Sequence, residues 1–433
     1  MKNNALFAIV LCVTAGATHA ESFYKGDNVF SLRPNPSDLI TKLTGFGPVG
    51  MSIDLVKPNF TMRIEGIENG SPAAATGKLK PGQYILSING SRLKDIDPRI
   101  QLGNIITEAE ATDGKITLMV ADEPKGEPQK VVVQIPVLGA YSDTWPLHCE
   151  KSDKIVRAHA EYLKRRGSHK GFADMGMLFL LSTGDESDLA YLARWAKAHK
   201  GNATYPWHIG YGGLALCEYY LRTGDKRVMP AIQKMVDHAV KMENFGGWGG
   251  RSAMAGVNYG GGGGHVNAAG TLVPAFLFLA KECGAEMPDS TLTRVAGHWI
   301  RWSGRGNVAY GNARPETGFT DNGRNGKLAF SLAAAAALTP KGEESIYAKA
   351  RDTSASFSFY STSYMLHGHT GGGIGEVHRS PAMGLLHEKM PNHYRSFMDT
   401  RRWHYDISRR WDGSMAILGG GRYDNAEWGT GFA

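Results

Sequence analysis

The sequence predicts a multidomain α+β protein, in which a β-rich domain near the N-terminus is followed by an all-α domain of helical hairpins closed into an α/α toroid. Two observations carry this expectation. The hydrophobic period changes from two to a helical one near residue 140, and a Thr-Gly-Asp turn recurs 40 positions apart, at Thr183-Gly184-Asp185 and Thr223-Gly224-Asp225. With 433 residues, 42% hydrophobic and 21% charged, the chain has material for two domains with substantial cores.

The first residues read as an export signal. Lys2 precedes an uncharged apolar run from Ala5 to Ala17, and small residues follow at Thr18 and Ala20. That run is about 13 residues where a spanning helix needs about 20, and no later stretch is long and apolar enough. The expectation is a signal peptide over 1–20, an extension over 21–44 and a mature protein in the periplasm or outside the cell, with no stable membrane span. Cys12 lacks the small preceding residue that a lipoprotein signal requires, and Cys149, Cys217 and Cys283 lack zinc or redox spacing. The net charge of +7 is scattered with no long basic block, so nucleic acid is not an expected partner.

Short strands follow. Met51 to Leu55 and Phe60 to Ile67 alternate, and Tyr84 to Ile88 and Val131 to Ile135 are β-rich. Between them run Asn69-Gly70-Ser71-Pro72-Ala73-Ala74-Ala75 and Pro81-Gly82-Gln83-Tyr84-Ile85-Leu86-Ser87-Ile88-Asn89-Gly90. In order and spacing these segments resemble the PDZ family, in particular its bacterial export-compartment members, over roughly residues 45 to 137. Gln83 stands where that family usually has Asp. The resemblance implies a domain over 45–140 that captures a peptide or protein C-terminus by strand addition, with a Gly-rich loop holding the carboxylate. Gly47, Gly50 and Met51 fall on that loop, Ile53 on the receiving strand, and Ile100 on the flanking helix. A competing reading fills the groove with the chain's own linker, which docks the second domain.

From residue 141 to 433 the pattern is helical. Apolar helices over Met175 to Leu181 and Gly212 to Leu221 precede the two turns, and charged amphipathic ones over Ser187 to His199 and Arg227 to Met242 follow. Looser copies end at Gly284 and near Gly342. Buried and amphipathic helices in alternation fit either an open solenoid or a toroid with an inner and an outer ring. Long glycine- and aromatic-rich loops, as at Phe245 to Gly250 and Tyr259 to Gly264, favour the toroid, because such loops border sites.

The chain as a whole resembles an uncharacterised family of secreted bacterial proteins that join a PDZ domain to an α/α-toroid domain of unknown function. The residues that carry this are Gly246 to Gly250, His265 to Gly270, Gly368 to Gly371 and Trp411 to Ser414. The architecture is also similar to polysaccharide lyases and six-hairpin glycosidases, at the level of fold alone. The last residues, Gly429 to Ala433, read like the start of a strand, so a chain shortened at its C-terminus is expected.

Counting back from each turn places His169, His208, His265, Asn325 and His369 at the N-terminal ends of the inner helices, where a closed ring would gather them on one rim. A sugar cleft needs aromatic platforms and convergent polar groups. The catalytic candidates are His265, His369, Tyr259 and Glu376; the substrate-binding candidates are His169, His208, Trp207, Trp248, Asn267 and Asn325. Asp174, Glu316, Asp321, Glu376 and Asp412 could supply paired carboxylates for glycoside hydrolysis. No cofactor is expected, and His367, His369, His378 and Glu376 match no established zinc spacing. Nucleophile elbow, phosphate-loop and dinucleotide motifs are absent. Two readings follow: a toroid that binds a polysaccharide or similar polar substrate, with cleavage as a further step, or a non-catalytic adaptor that binds proteins through the PDZ groove and the toroid rim.

Overall fold

A computed structural model describes residues 40–433 apart from 58, 94–97, 167–174, 204, 250–264, 312–322, 361–374 and 418–428. Six strands come first: β1 (Ile40–Leu43), β2 (Met51–Val56), β3 (Thr61–Ile67), β4 (Tyr84–Ile88), β5 (Lys115–Ala121) and β6 (Gln129–Gln134). They form one sheet in sequence order, antiparallel from β2 to β6. β1 therefore borders β2 on the side away from β3. Period-two alternation buries Ile53, Ile64, Ile88, Leu118 and Val133 in one core. Two helices interrupt the strands, α1 (Pro72–Ala75) and α2 (Pro98–Ala111). Ser71 starts α1 by accepting from the Ala74 N–H at 3.2 Å. Gln83, at the family's Asp position, holds the turn in the same manner, accepting from the Lys80 N–H at 2.9 Å and donating to Asp122 at 3.1 Å.

The helical part alternates outer and inner members. The outer helices are α3 (Glu150–Arg166), α5 (Glu186–Ala198), α7 (Met229–Met242), α10 (Asp289–Ile300), α12 (Ile346–Tyr360) and α14 (Pro391–Asp399). The inner ones are α4 (Met175–Thr183), α6 (Pro206–Thr223), α9 (Val273–Glu282), α11 (Arg324–Ala337) and α13 (Glu376–Gly384), with the one-turn α8 (Asn267–Gly270) just before α9. Successive inner helices pack side by side, and a 3₁₀ turn at Thr430–Phe432 packs on both α13 and α4, closing the ring. At the repeated turns Gly184 and Gly224 take φ of +67° and +68°, and Asp185 and Asp225 cap the next element by accepting from Ser187 and Arg227 N–H groups.

Met177, Leu216, Phe276 and Leu332 are buried between the rings. Leu178 is half-buried, because it faces the lumen rather than the interlayer core. Cys149, Cys217 and Cys283 are free and buried. No described helix is long and apolar enough to cross a membrane.

After α14 the chain leaves the ring as α15 (Arg402–Ser408), which packs along α2 and on the 3₁₀ turn Gly47–Val49 of the sheet domain. Trp403 and Ile407 of α15 belong to the sheet domain's own hydrophobic core. The sheet domain and the helical part are packed together: Lys42–Ala433 form one compact unit.

Candidate functional site

The Gly-rich loop and α2 frame the groove that a PDZ fold offers to a peptide, and here α15 lies against both. A Cβ added at Gly103 of α2 would sit 2.4 Å from the Trp403 carbonyl oxygen, so only glycine lets the two helices approach this closely. At Gly47 a Cβ would lie 3.1 Å from the Asp406 carbonyl oxygen, and at Gly50 it would lie 2.8 Å from Trp411 Cδ1. Trp411 Nε1 donates to Glu68 at 2.7 Å, and Arg410 donates to the Thr44 carbonyl at 2.9 Å.

A buried charge cluster completes the contact. Arg409 grips Glu110 of α2 with two hydrogen bonds of 3.0 and 2.6 Å and reaches Asp406 at 2.7 Å. Lys151, at the start of α3, lies 2.9 Å from Glu110. Asp406 accepts from Thr107 at 2.6 Å and from Tyr141 at 2.5 Å. Burial pushes the Asp406 carboxyl up, but Arg409 and Lys151 outweigh it and hold it below the usual range. Two carboxylates and two cations leave the cluster neutral, which is the condition under which buried charge is tolerable.

With α15 in place the predicted peptide-binding loop is covered. Gly47, Gly50, Met51 and Ile53 are buried rather than displayed to a ligand, and Ile100 is 37% exposed on the outer face of α2. The face of α2 turned to the groove carries Gly103, Ile106, Thr107 and Glu110 instead, one helical stripe that the apolar pattern did not single out.

The second feature is a cavity of about 460 Å³ inside the ring. Each inner helix turns one stripe toward it: Met175, Leu178 and Ser182 from α4, Tyr211, Leu214 and Glu218 from α6, then Ala275 and Leu279, Phe330 and Ala333, and His378 and Pro381. Tyr211 and His378 are buried and hydrogen-bonded at 2.9 Å. Burial first, then the Lys327 and Arg379 charges, push His378 well below its usual range, so its ring is neutral. Burial raises the Glu218 carboxyl.

The described rim residues do not line this cavity. His265 is buried, donates from Nε2 to the Asn244 carbonyl at 2.7 Å and meets the His298 ring edge-on at 4.9 Å. Trp248 donates to the Ala239 carbonyl, Asn267 to the carbonyls of Ala309 and Gly311, Trp207 to that of Ala268, and Asn325 to the Asn307 side chain. His208 stacks edge-on with Tyr205. Glu376 is fully buried and ion-paired with Arg401; burial raises its carboxyl, but the charges of Arg401, Arg379 and His404 hold it low. These described side chains tie the ring's loops to its helices. Of the carboxylate candidates, Asp412 accepts from the N–H and hydroxyl of Ser414 and so shapes its own turn. His169, Tyr259, His367, His369, Asp174, Glu316 and Asp321 lie outside the described residues.

Sheet, Gly-rich loop and flanking helix define a PDZ domain carried on a helical toroid, and residues 39–121 match the PDZ family. Residues 152–432, more than half of the chain, match the domain of unknown function DUF6288, and the chain belongs to that family. No curated protein and no solved structure matches it.

Proposed function

We propose that this is an exported adaptor whose PDZ groove is held by α15 of its own helical domain, and which takes up a partner's C-terminal peptide when α15 gives way. The PDZ domain points to a role in protein interaction. The observation that carries the finer reading is the contact of α15 with Gly47 and Gly103, backed by the Arg409–Glu110 pair. Export rests on Lys2 and the apolar run after it. Polysaccharide cleavage has less behind it, because the described residues assigned to it serve packing and the lumen wall is mostly apolar.

A groove that is open only part of the time binds with an affinity reduced by the open fraction. The test is titration of the full chain with a library of C-terminal peptides, comparing wild type with a double-cysteine variant, Gly103→Cys and Trp403→Cys, oxidised and reduced. Peptide binding should vanish on oxidation and return on reduction, and Arg409→Ala should tighten it about tenfold or more. Equal binding by the oxidised variant, or no peptide bound by any form, would sink the adaptor reading.

A further inference from the structure

The ring lumen stands apart from the PDZ groove and carries its own chemistry. We propose that it is a binding site for an amphiphile with an apolar body and a cationic amine head, the head pairing with Glu218. Its volume of about 460 Å³ falls within the roughly 300–1,000 Å³ of ordinary ligand pockets. Met175, Leu178, Leu214, Leu279 and Phe330 line it and are only half-buried, so the lumen presents large apolar side chains that lack full packing. An alkyl or similar apolar body would cover them, removing that surface from water.

Polarity in the lumen is sparse and graded. Tyr211 and His378 satisfy one another at 2.9 Å, and the imidazole is neutral, so this level offers hydrogen bonding but no charge. Glu218 lies two helical turns further along α6, about 10 Å of rise. It is solvent-accessible and borders the lumen, and its carboxylate has no ion pair or hydrogen bond with any described residue. Burial by the surrounding protein is the one cause acting on it, and it raises the pKa. A carboxylate left without a partner beside an apolar wall is the complement of an ammonium group, whose charge would favour the ionised form. A fatty acid would set like charge against it.

The experiment is calorimetric titration of the full chain near neutral pH with dodecylamine, dodecanol and dodecanoate, each below its micelle concentration or solubility limit. The amine should bind at least tenfold more tightly than the alcohol, and the carboxylate more weakly than both. Glu218→Gln should bring the amine to the level of the alcohol and leave the alcohol unchanged. Leu214→Trp, which fills the lumen, should weaken all three, with circular dichroism reporting that the helices remain. The proposal is overturned if none of the three binds, if alcohol or carboxylate matches the amine, or if Glu218→Gln leaves the amine preference intact.

Discussion

The sheet domain and the helical ring bury charge on different terms. In the helical part, the buried carboxylates of Glu376 and Asp188 find their cations there: Glu376 in Arg401, and Asp188 in Arg157 at 2.8 Å and Lys164 at 2.8 Å. In the sheet domain Asp54 is likewise paired at home, with Arg63. Glu110 is the exception, since Arg409 and Lys151, which neutralise it, both come from beyond the sheet domain. A carboxylate buried against foreign cations marks a surface designed to be covered. The lesson is that this PDZ unit is completed by the ring rather than merely tethered to it.

The harshest way to break that comparison is to remove one cation. Arg409→Ala leaves the buried carboxylates of Glu110 and Asp406 to share the single cation of Lys151, and breaking a buried pair from one side costs about 3–5 kcal/mol. By contrast, Lys115→Ala removes the partner of Asp113 in a pair more than half exposed, where water screens the charges and the loss is small. Urea unfolding of the full chain should rank the two in that order. Comparable losses would mean that the buried cluster is not what joins the domains.

Acid sharpens the comparison, because residues 40–140 contain no histidine whereas the helical part buries several. His159 joins α3 to the closing segment through the Gly413 carbonyl at 3.0 Å and Thr430 at 2.9 Å. Burial lowers its pKa from 6.5 to about 4. The folded ring is thus neutral in a range where the unfolded chain takes up a proton. Stability should be full above about pH 6.5 and fall as pH drops toward 4, with no further loss from this group below that. The share of His159 is on the order of 3 kcal/mol. Hydrogen exchange between pH 7 and 4 should show protection lost first in the helices, and His159→Gln should flatten the slope. An unchanged slope in that variant would refute the assignment.

What the sequence made legible follows physical range. The PDZ unit was readable because its turns are local: Pro81-Gly82 and Asn89-Gly90 demand particular backbone angles, and Gly82, Asn89 and Gly90 all take positive φ. The hairpins were readable because Gly184 and Gly224 repeat the same helix stop. The groove's occupant was not, since Thr107 meets Asp406 across 299 positions and no periodicity reports such a contact. The rim is a different case. Equal spacing from a turn fixes the height of His265 or Asn325 along its helix, but not the direction in which it points. Nor did the lumen stripe stand out, because inner helices such as α4 and α9 are apolar nearly all round.

The finest test concerns a single methyl group on α2, where two effects of similar size oppose each other. Gly103 lies inside a helix, and replacing an interior helical glycine by alanine ordinarily stabilises by about 0.5–1 kcal/mol. If α15 docks as described, the new Cβ falls 2.4 Å from the Trp403 carbonyl and 2.7 Å from its Cβ, so a helix must shift. Overpacking of this kind costs about 1–3 kcal/mol. Gly103→Ala should therefore destabilise the full chain by about 1 kcal/mol net, reversing the sign that helix propensity alone dictates. The same substitution should loosen α15 and raise exchange at Trp403 and Ile407. A stabilised chain would show that α2 is free of α15 in solution, and the self-occupied groove would fall with it.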